Sequence, residues 1–384
     1  MSDNVIPRLL ILTRNLPPLV GGMERLNWHM AEELSKYAHV HVIGPQGSKS
    51  LCPPRVLCTE IPLQPLWRFL ASSSVDALRV AKAWKPQVVL AGSGLMAPAT
   101  LLAARAVDAK AGVYLHGLDA AVRHPIYRAI WHPAIRRMDT VIVNSKATAG
   151  LAECIGVKQQ QIATVHPGVQ FPIERQPEHI LHEFRQRHGL GGAQILLSIG
   201  RLTTRKGLRE FVEMSLPAIV NERPGTLLVV IGDAPANSLR ATAQTRESIK
   251  AAADAAGVGE YIKFLGIITD ENELASAYEC ASLHVFPVRD LSGDPEGFGM
   301  VAIEAAAHGV PTVAFGTGGV VDAVAHGRSG YLVNPGDYES FSRRVLQVLN
   351  DSEDIWKETT KSFSEKFAWN SFGEKVYFSL QPGE

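Results

Sequence analysis

The chain has few cysteines, no long apolar run and no excess of charge of either sign. Its four cysteines form no Cys-x-x-Cys pair and have no histidine at metal-ligand spacing, which argues against a disulfide framework or a zinc site. A membrane-spanning helix needs about 20 consecutive apolar residues, and every apolar run here is much shorter. The first residues, MSDNVIPRLLIL, lack the basic start and cleavage site of a secretory signal. We therefore expect a cytoplasmic protein.

The length and composition are those of a globular protein with more than one domain. A chain of 384 residues exceeds what one hydrophobic core usually fills, and a prior of about 150 residues per domain suggests two domains. Hydrophobic residues make up 46% of the chain and charged residues 20%, whereas disordered chains are poorer in apolar residues. Both domains should therefore be folded.

The net charge of zero hides an uneven distribution. Residues 1–178 contain 19 basic and 12 acidic side chains, while residues 179–384 contain 19 and 26. A basic front half fits contact with phosphate, anionic lipid headgroups or an acidic acceptor, with chance scatter as the alternative. Within it, the segment 123–137 interleaves four arginines with aromatic residues that can enter a membrane interface. Because no nucleic-acid-binding module accompanies this segment, we expect no nucleic acid partner.

Short apolar runs alternate with amphipathic stretches, as expected for parallel strands and the helices between them. The predicted strands are 8–13, 40–43, 87–91, 111–115, 140–144 and 163–166, then 195–199, 226–231, 262–264, 283–286 and 312–314. A proline-rich linker at 167–177 separates the two series. This order predicts an α/β protein with two facing Rossmann-like doubly wound domains, 1–170 and 178–366, and a cleft between them. The aromatic residues that follow predict a terminal helix within 367–384 that packs back on the first domain.

Two glycine-rich turns follow predicted strands in the first half. Gly21 and Gly22 open a helix, where bare backbone N–H groups can approach a phosphate. Residues 92–97, Gly-Ser-Gly-Leu-Met-Ala, satisfy the dinucleotide fingerprint G-x-G-x-x-A. That fingerprint belongs in the first turn of its domain with an acid after the next strand, so we expect these glycines to serve tight packing instead. His116 ends a further strand, where a ligand-binding and a structural role are both open.

Charged turns mark the second half. After the strand at 195–199 come Gly200-Arg201 and Lys206-Gly207, two cations that can converge on a diphosphate unless the turn is simply solvated. Farther on, Glu296 precedes Gly297-Phe298-Gly299-Met300, whose backbone N–H groups can hold a phosphate beside the sugar hydroxyls that Glu296 would bind. Glu304 lies on the apolar helix that follows, and an acid there needs a hydrogen-bonding ligand or a buried cation.

Together these features resemble the retaining, nucleotide-sugar-dependent glycosyltransferases of the GT-B architecture, a family that includes many bacterial mannosyl-, glucosyl- and rhamnosyltransferases. The resemblance covers almost the full length of the chain. It is carried by Gly21-Gly22, His116, the 200–207 turn, the Glu296-x7-Glu304 motif, Gly318-Gly319 and the terminal aromatic helix. One departure is Asp322, where many members carry a glutamate after the double glycine.

The resemblance implies a hexosyltransferase that retains anomeric configuration. By that resemblance Arg201 and Lys206 hold the donor diphosphate, Glu304 holds the ribose hydroxyls, and the catalytic residues are His116 and Glu296, which contact the transferred sugar. The other implied donor contacts are Gly22 at the phosphates, Gly266 and Ile267 at the base, and Gly297, Phe298, Gly299 and Met300 at the sugar. Since the sequence contains no Asp-x-Asp motif, we expect no diphosphate-bound metal and no cofactor.

The loop at 294–299 most resembles mannosyltransferase members, which favours a GDP-mannose or GDP-rhamnose type of donor. The basic front half favours a lipid-linked or oligosaccharide acceptor in bacterial surface polysaccharide assembly, with peripheral contact to an anionic membrane from the cytoplasmic side. The alternatives are a UDP-sugar-dependent glucosyltransferase and a nucleotide-sugar epimerase on the same fold. A dehydrogenase using the 92–97 turn and a noncatalytic binding module fit the motifs less well.

Overall fold

The computed structural model describes residues 6–234 and 244–381, which form two compact α/β units. The first unit comprises the described residues up to Gly168 together with those from Phe367 onward, and the second runs from Val169 to Lys366. The chain therefore leaves the first unit once and returns to it at its end. The sequence-based domain bounds, 1–170 and 178–366, lie close to these divisions.

The first unit is built on a seven-stranded sheet in which each neighbouring pair of strands is parallel. Its strands are β1 (Arg8–Leu12), β2 (His39–Pro45), β3 (Val56–Ile61), β4 (Val88–Ala91), β5 (Lys110–Leu115), β6 (Thr140–Val143) and β7 (Ile162–Thr164). Across the sheet they lie in the order β3-β2-β1-β4-β5-β6-β7. The winding direction changes between β1 and β4, so a crevice for ligands is expected at the carboxyl ends of these strands.

Helices form most of the connections between these strands, because each connection in a parallel sheet must return the chain to the same edge. The exception is the connection from β2 to β3, residues 46–55, which consists of turns. They are α1 (Gly22–Leu34), α2 (Leu66–Trp84), α3 (Ala97–Arg105), α4 (Leu118–Ala121), α5 (Pro125–Arg136) and α6 (Lys146–Cys154). Strand residues such as Leu10, Val89 and Val113 are completely buried beneath them. This explains the apolar runs of the sequence, since strands covered on both faces need apolar residues at consecutive positions.

The second unit repeats the plan with a six-stranded parallel sheet. Its strands are β8 (Gln194–Ile199), β9 (Thr226–Ile231), β10 (Ile262–Gly266), β11 (Leu283–Phe286), β12 (Thr312–Phe315) and β13 (Gly330–Val333). They lie in the order β10-β9-β8-β11-β12-β13, so the winding direction changes between β8 and β11. Two Rossmann-like doubly wound units are therefore present, and this part of the sequence-based prediction is confirmed.

Nine helices surround the second sheet within the described residues. They are α7 (Glu178–Arg187), α8 (Leu208–Met214), α9 (Leu216–Glu222), α10 (Arg246–Ala255), α11 (Glu271–Glu279), α12 (Met300–Ala307), α13 (Val320–Ala323), α14 (Tyr338–Asn350) and α15 (Glu353–Ser364). The core between sheet and helices includes the fully buried Leu196, Leu228 and Phe341. With this core the unit presents the carboxyl ends of β8 and β11 side by side.

The terminal helix α16 (Trp369–Leu380) packs on the first unit. The ring of Trp369 stacks on His29 of α1 at a centroid distance of 4.1 Å, and Tyr377 stacks on Tyr37 at 4.9 Å. A Cβ at Gly373 would lie 2.3 Å from the Cβ of Glu33, so α1 and α16 meet where the side chain is smallest. The aromatic pattern of this segment is thus an internal packing face.

The sequence pattern does not predict β3 and β13, and each of these strands lies at the edge of its sheet. An edge strand pairs on one side only and can keep exposed residues, so it lacks the continuous apolar run of a central strand. In β3 the side chain of Leu57 is exposed and only Ile61 is fully buried. The strand β13 begins with a glycine and has two half-buried residues at its centre.

Among the described residues, none of the helices is both long and apolar enough to cross a membrane.

Candidate active site

The turn after β8 places Lys206 at the carboxyl edge of the second sheet. A single 3-10 turn, Thr204–Lys206, is followed by Gly207 with a φ of 68°. A Cβ at Gly207 would lie 2.1 Å from the carbonyl oxygen of Pro287, so only glycine allows this turn to approach the segment after β11 so closely. Lys206 is consequently held in a largely buried position.

Lys206 belongs to a buried cluster of charges centred on Glu296. Its Nζ lies 2.8 Å from Oε2 of Glu296, and Nη1 of Arg205 donates to the same oxygen. The Nε of Arg205 is also 3.3 Å from Oδ1 of Asp294. The side chains of Arg205 and Glu296 are only 12% and 11% exposed. Charges can be buried to this extent because each has an opposite partner.

The electrostatics of the cluster favour an incoming anion. Burial lowers the pKa of Lys206 well below its usual range, and the neighbouring positive charges of Arg205 and Arg201 lower it further. Its Nζ also lies 4.6 Å from the centroid of the Phe286 ring, at a cation–π distance. A bound anion would compensate both the burial and the repulsion between the cations.

Arg201 itself is exposed, unlike Lys206, although it begins the same turn. It is nevertheless close enough to lower the pKa of Lys206 and of Arg205 through charge repulsion, in both cases after the larger effect of burial. The turn therefore presents one buried and one exposed cation, Lys206 and Arg201, of the two that the sequence singled out.

The backbone of Glu296 is fixed by the double glycine after β12. The N–H of Gly319 donates to the carbonyl oxygen of Glu296 at 2.8 Å. A Cβ at Gly318 would lie 2.5 Å from that carbonyl oxygen, and a Cβ at Gly319 would lie 2.0 Å from the carbonyl oxygen of Gly297. The double glycine thus lets two loops touch and holds Glu296 at the edge of the sheet.

Helix α12 begins directly after this loop and carries Glu304. Gly299 caps it with a φ of 94°, and Met300 is its first residue. The hydroxyl of Tyr278 donates to Oε2 of Glu304 at 3.0 Å. Tyr278 is buried, and its ring stacks on His308 at a centroid distance of 5.0 Å. The chain therefore supplies a hydrogen-bonding partner for Glu304, as its position on an apolar helix requires.

The loop expected to face a base lies at the carboxyl end of β10. Gly266 has a φ of 75°, and its carbonyl oxygen accepts a hydrogen bond of 2.7 Å from the N–H of Gly232. Ile267, next in the chain, is exposed. Since β10 is parallel to β8, this loop opens at the same edge of the sheet as the Lys206 turn.

Two family models match this chain, and together they cover most of it. The model described as Glycosyltransferase Family 4 matches residues 20–171, and the model described as Glycosyl transferases group 1 matches residues 193–351. Each unit thus matches a glycosyltransferase family model, and the fold is that of the GT-B glycosyltransferases. The boundary between the two matches lies near the division between the two units.

Relatives and solved structures agree with this family. A protein of Mycobacterium tuberculosis named GDP-mannose-dependent alpha-(1-6)-phosphatidylinositol monomannoside mannosyltransferase is 27% identical over 90% of this chain and 90% of its own. Mannosylfructose-phosphate synthase of Agrobacterium fabrum is 31% identical over 63% of this chain and 52% of its own. The crystal structure of Anabaena HepE in complex with UDP aligns over 97% of this chain and 99% of that one, with a TM-score of 0.81. At 18% identity, this last likeness shows the fold.

In the first unit, His116 follows β5. Its ring Nε2 lies 2.9 Å from the carbonyl oxygen of Gly92, and its backbone N–H donates to Oδ2 of Asp119 at 3.0 Å. A carbonyl oxygen can only accept, so in the neutral ring the proton sits on Nε2. The Nδ1 atom is then available as a hydrogen-bond acceptor.

Gly22, the other expected site residue of the first unit, is the first residue of α1. A Cβ on the preceding Gly21 would lie 2.4 Å from Oε2 of Glu24, whose Oε1 accepts a hydrogen bond of 2.7 Å from Nδ2 of Asn15. The helix entry is therefore a tight turn filled by a carboxylate and an amide of the same unit.

The turn at 92–97 serves packing, as the sequence predicts. A Cβ at Gly92 would lie 2.0 Å from Oδ1 of Asn27, and a Cβ at Gly94 would lie 2.7 Å from the Cβ of Asp119. Both glycines are therefore in contact with protein atoms where a dinucleotide would need open backbone.

Helix α5 departs from the expectation that the aromatics of the segment 123–137 face outward. Trp131 stacks on Tyr127 at a centroid distance of 5.1 Å, and its Nε1 donates to the carbonyl oxygen of Leu95 at 2.8 Å. These rings pack within the unit because the indole N–H finds its partner there. The large apolar residues that this helix exposes are instead Ile126 and Ile130, 60% and 50% exposed.

The structure brings Lys206 into direct contact with Glu296, and Glu304 is near enough to raise the pKa of Lys206 slightly against the larger effect of burial. Sequence reasoning missed Arg205 and Tyr278, which hold the two glutamates. Arg205 had a weak signal, since it sits inside the charged turn, whereas nothing in the local sequence marks Tyr278. In the described ranges no group of three or more histidine, cysteine, aspartate or glutamate side chains is arranged to hold a metal ion.

Proposed function

We propose that this GT-B glycosyltransferase moves a hexose from a nucleoside-diphosphate sugar to a lipid-linked or glycan acceptor, with retention of anomeric configuration. The observation that carries the proposal is the buried cluster of Lys206, Arg205 and Glu296 beside Glu304. Cations suit a diphosphate, and carboxylates suit the hydroxyls of a sugar and a ribose. The preferred donor is GDP-mannose or a GDP-rhamnose type sugar, and the name of the M. tuberculosis relative supports a GDP-mannose donor.

In this proposal the donor spans the carboxyl edge of the second sheet. Lys206 and Arg201 bind the diphosphate, with Gly22 as a further backbone contact to phosphate, and Glu304 binds the ribose hydroxyls. Gly266 and Ile267 face the base. The transferred sugar is bound by the Glu296 carboxylate and by the backbone of Gly297, Phe298, Gly299 and Met300. The glycine-bounded turns suit this role because they place backbone N–H groups and charged side chains at one edge.

The transfer step breaks the bond between the anomeric carbon and the diphosphate oxygen and forms a bond to the acceptor oxygen on the same face. The acceptor proton passes to the departing phosphate oxygen, and no protein nucleophile is assigned. Negative charge builds on the leaving diphosphate, where Arg201 and Lys206 stabilise it electrostatically. Since these cations take the role that a bound metal has in other transferases, we expect turnover to persist in EDTA.

His116 is proposed as the second catalytic residue. The Gly92 carbonyl holds its ring through Nε2, and Nδ1 is left as an acceptor for a hydroxyl of the transferred sugar. The hydrogen bond from the His116 backbone N–H to Asp119 supports the same ring position. His116 would then orient the sugar and leave nucleotide binding to the second unit.

We place the acceptor on the first unit and suggest an anionic membrane as its setting. Helix α5 exposes Ile126, Ile130 and Arg128, and the exposed Arg123 lies just before it in the chain. Apolar side chains next to arginines suit the interface of an anionic bilayer. The M. tuberculosis relative, whose name specifies a phosphatidylinositol mannoside substrate, is consistent with a lipid-linked acceptor.

The test is a thermal-shift comparison of GDP, UDP and ADP, followed by turnover of the matching sugar donor. We expect GDP to stabilise most, by roughly 2.7 kcal/mol at 100 times its dissociation constant. A larger shift with UDP would replace the donor assignment by the UDP-glucosyltransferase alternative. Isomerised sugar formed from donor alone would indicate an epimerase, which the relatives described above do not favour. Absence of any nucleotide shift would refute the proposal.

A further inference from the structure

We infer that Arg205 is a positioning residue that fixes the Glu296 carboxylate, so that Lys206 can leave Glu296 for the donor diphosphate. The inference rests on the proposed function, in which Lys206 binds diphosphate and Glu296 binds the transferred sugar. It assigns a role to a cation that the family resemblance left without one.

The geometry shows competition for one oxygen atom. Among the described residues, the ion pairs and hydrogen bonds of the Glu296 carboxylate go to Oε2, which is shared by Lys206 at 2.8 Å and by Arg205. The other carboxylate oxygen, Oε1, is therefore the one available for a sugar hydroxyl. A diphosphate that attracts Lys206 removes one of the two cations that hold the carboxylate.

Arg205 is anchored in a way that Lys206 is not. Its guanidinium bridges two acids, since Nη1 binds Glu296 while Nε lies 3.3 Å from Oδ1 of Asp294. Its carbonyl oxygen accepts a hydrogen bond of 2.8 Å from the backbone N–H of Arg289, whose side chain pairs with Glu210 on α8. Backbone and side chain of Arg205 are thus both fixed within the second unit.

The two cations also differ in their fitness to change partner. Lys206 is a point charge on a flexible stem, and burial together with repulsion from Arg205 and Arg201 lowers its pKa, so an additional anion stabilises it. The guanidinium of Arg205 forms ion pairs with two acids and would lose both if it turned away. Donor binding should therefore move Lys206 and leave the pairing of Arg205 with Glu296 intact.

The inference predicts a specific defect when Arg205 is changed. Loss of the guanidinium should weaken the contribution of the sugar to donor binding and lower turnover, while the bare nucleotide, which does not contact Glu296, should bind as before. Arg205→Lys keeps the charge but cannot bridge both acids, so it should show a smaller defect than a neutral substitution but not wild-type behaviour.

The experiment measures the dissociation constants of GDP and GDP-mannose by calorimetry, together with GDP release from GDP-mannose, for wild type, Arg205→Met and Arg205→Lys. Arg209→Met is the matched control, because Arg209 pairs with Glu213 on the exposed face of α8. For Arg205→Met we expect GDP binding within about twofold of wild type, and a fall of about tenfold or more both in the preference for GDP-mannose over GDP and in turnover. In a Glu296→Gln background, Arg205→Met should lower turnover and the preference for GDP-mannose by less than about twofold, because the carboxylate that Arg205 positions is already absent.

The outcomes separate this inference from the proposed function. Wild type that binds GDP, together with an Arg205→Met variant that keeps its preference for GDP-mannose, would overturn the role of Arg205 alone. An equal loss of GDP and GDP-mannose binding would do the same, because it would make Arg205 a diphosphate ligand. If wild type binds no nucleoside diphosphate, the proposed function fails and the inference fails with it. Should Arg205→Met not fold, Asp294→Asn tests the same anchor and should give a weaker form of the same defect.

Discussion

In the second unit, Glu296 and Glu304 each have a side-chain partner that the local sequence does not indicate. Glu296 is held by two cations, and Glu304 accepts a hydrogen bond from Tyr278. Buried acids need such partners because an unpaired charge in the protein interior is costly. The partners also orient the carboxylates, so the effects of substitution should differ between the two acids.

Replacement of either cation that we propose to bind the diphosphate should weaken nucleotide binding. Each charge-assisted contact contributes about 1.5–3 kcal/mol, so Lys206→Ala or Arg201→Ala should raise the dissociation constant of GDP by roughly tenfold or more. Calorimetry on variants whose circular dichroism matches wild type would measure this. Unchanged affinity in a folded double variant would contradict the assignment.

The two glutamates should separate binding from turnover. Glu304→Gln should mainly raise the dissociation constant of the nucleotide, because its proposed contact is with ribose, whereas Glu296→Gln should mainly lower turnover. A matched ligand is 2′,3′-dideoxy-GDP, whose affinity should not respond to Glu304→Gln. If both variants weaken GDP equally, the division of roles is wrong.

A buried histidine should make stability depend on pH. Burial, with a further contribution from Lys206, lowers the pKa of His284 from 6.5 to about 3. Below about pH 6.5 this histidine takes up a proton in the unfolded chain but not in the folded chain. As the pH is lowered from 6.5, the free energy of unfolding should therefore decrease by up to about 1.4 kcal/mol per pH unit because of this residue. His284→Asn keeps an acceptor or donor near Thr312 and should flatten this dependence in urea unfolding at pH 7, 6 and 5. Parallel curves for the two proteins would argue against the assignment.

Helix α16 belongs to the first unit although it follows the second unit in the chain. It is apolar on one side because it closes the first unit, where Trp369, Phe372 and Val376 are buried. The sequence predicts a terminal helix within 367–384 that packs back on the first domain. In the structure it contacts α1 and reaches β6, where the hydroxyl of Thr140 donates to the carbonyl oxygen of Ser379 at 3.2 Å. The first unit should therefore depend on residues that follow the second unit in the chain.

Truncation of one aromatic in α16 should destabilise the first unit. Trp369 is 6% exposed and contacts Gly168 and His29, so Trp369→Ala should lower the free energy of unfolding by about 3–5 kcal/mol. Phe378→Ala is a control on the same helix, because Phe378 is 62% exposed and its loss should cost less than about 0.5 kcal/mol. Denaturant unfolding followed by tryptophan fluorescence would compare them. Similar losses in both variants would show that α16 is not the closing element.

For the molecule as a whole, the distribution of charge follows the division into units. The positive excess of residues 1–178 falls mostly in the first unit, and the negative excess of residues 179–384 falls mostly in the second. The cluster of Lys206, Arg205 and Glu296 therefore lies in the second unit, which is the more acidic of the two. The positive charge of the first unit includes the four arginines of the segment 123–137, and such an excess suits long-range attraction to an anionic partner.

Association with anionic vesicles should depend on the arginines of the segment 123–137. Each cation near an anionic leaflet contributes on the order of 1 kcal/mol, and the attraction should weaken in high salt because the Debye length shrinks to about 3 Å at 1 M. Co-sedimentation would compare wild type with a folded variant in which Arg123, Arg128, Arg136 and Arg137 are replaced by glutamine. Equal sedimentation of both proteins would assign the charge to another use, such as steering a phosphorylated acceptor.

The fold class and most central strands follow from local pattern, because a strand buried on both faces must be apolar at consecutive positions. The glycine turns that form the edge of the site are also local features. The partners are not, since Arg205 and Glu296 lie 91 residues apart and Tyr278 and Glu304 lie 26 apart. Such contacts depend on which strand ends lie side by side. The order of strands in a sheet cannot be predicted from the sequence of any single segment. For the same reason the edge strands, the inward packing of Trp131 and the individual contacts of α16 with α1 and β6 became visible only in the folded chain.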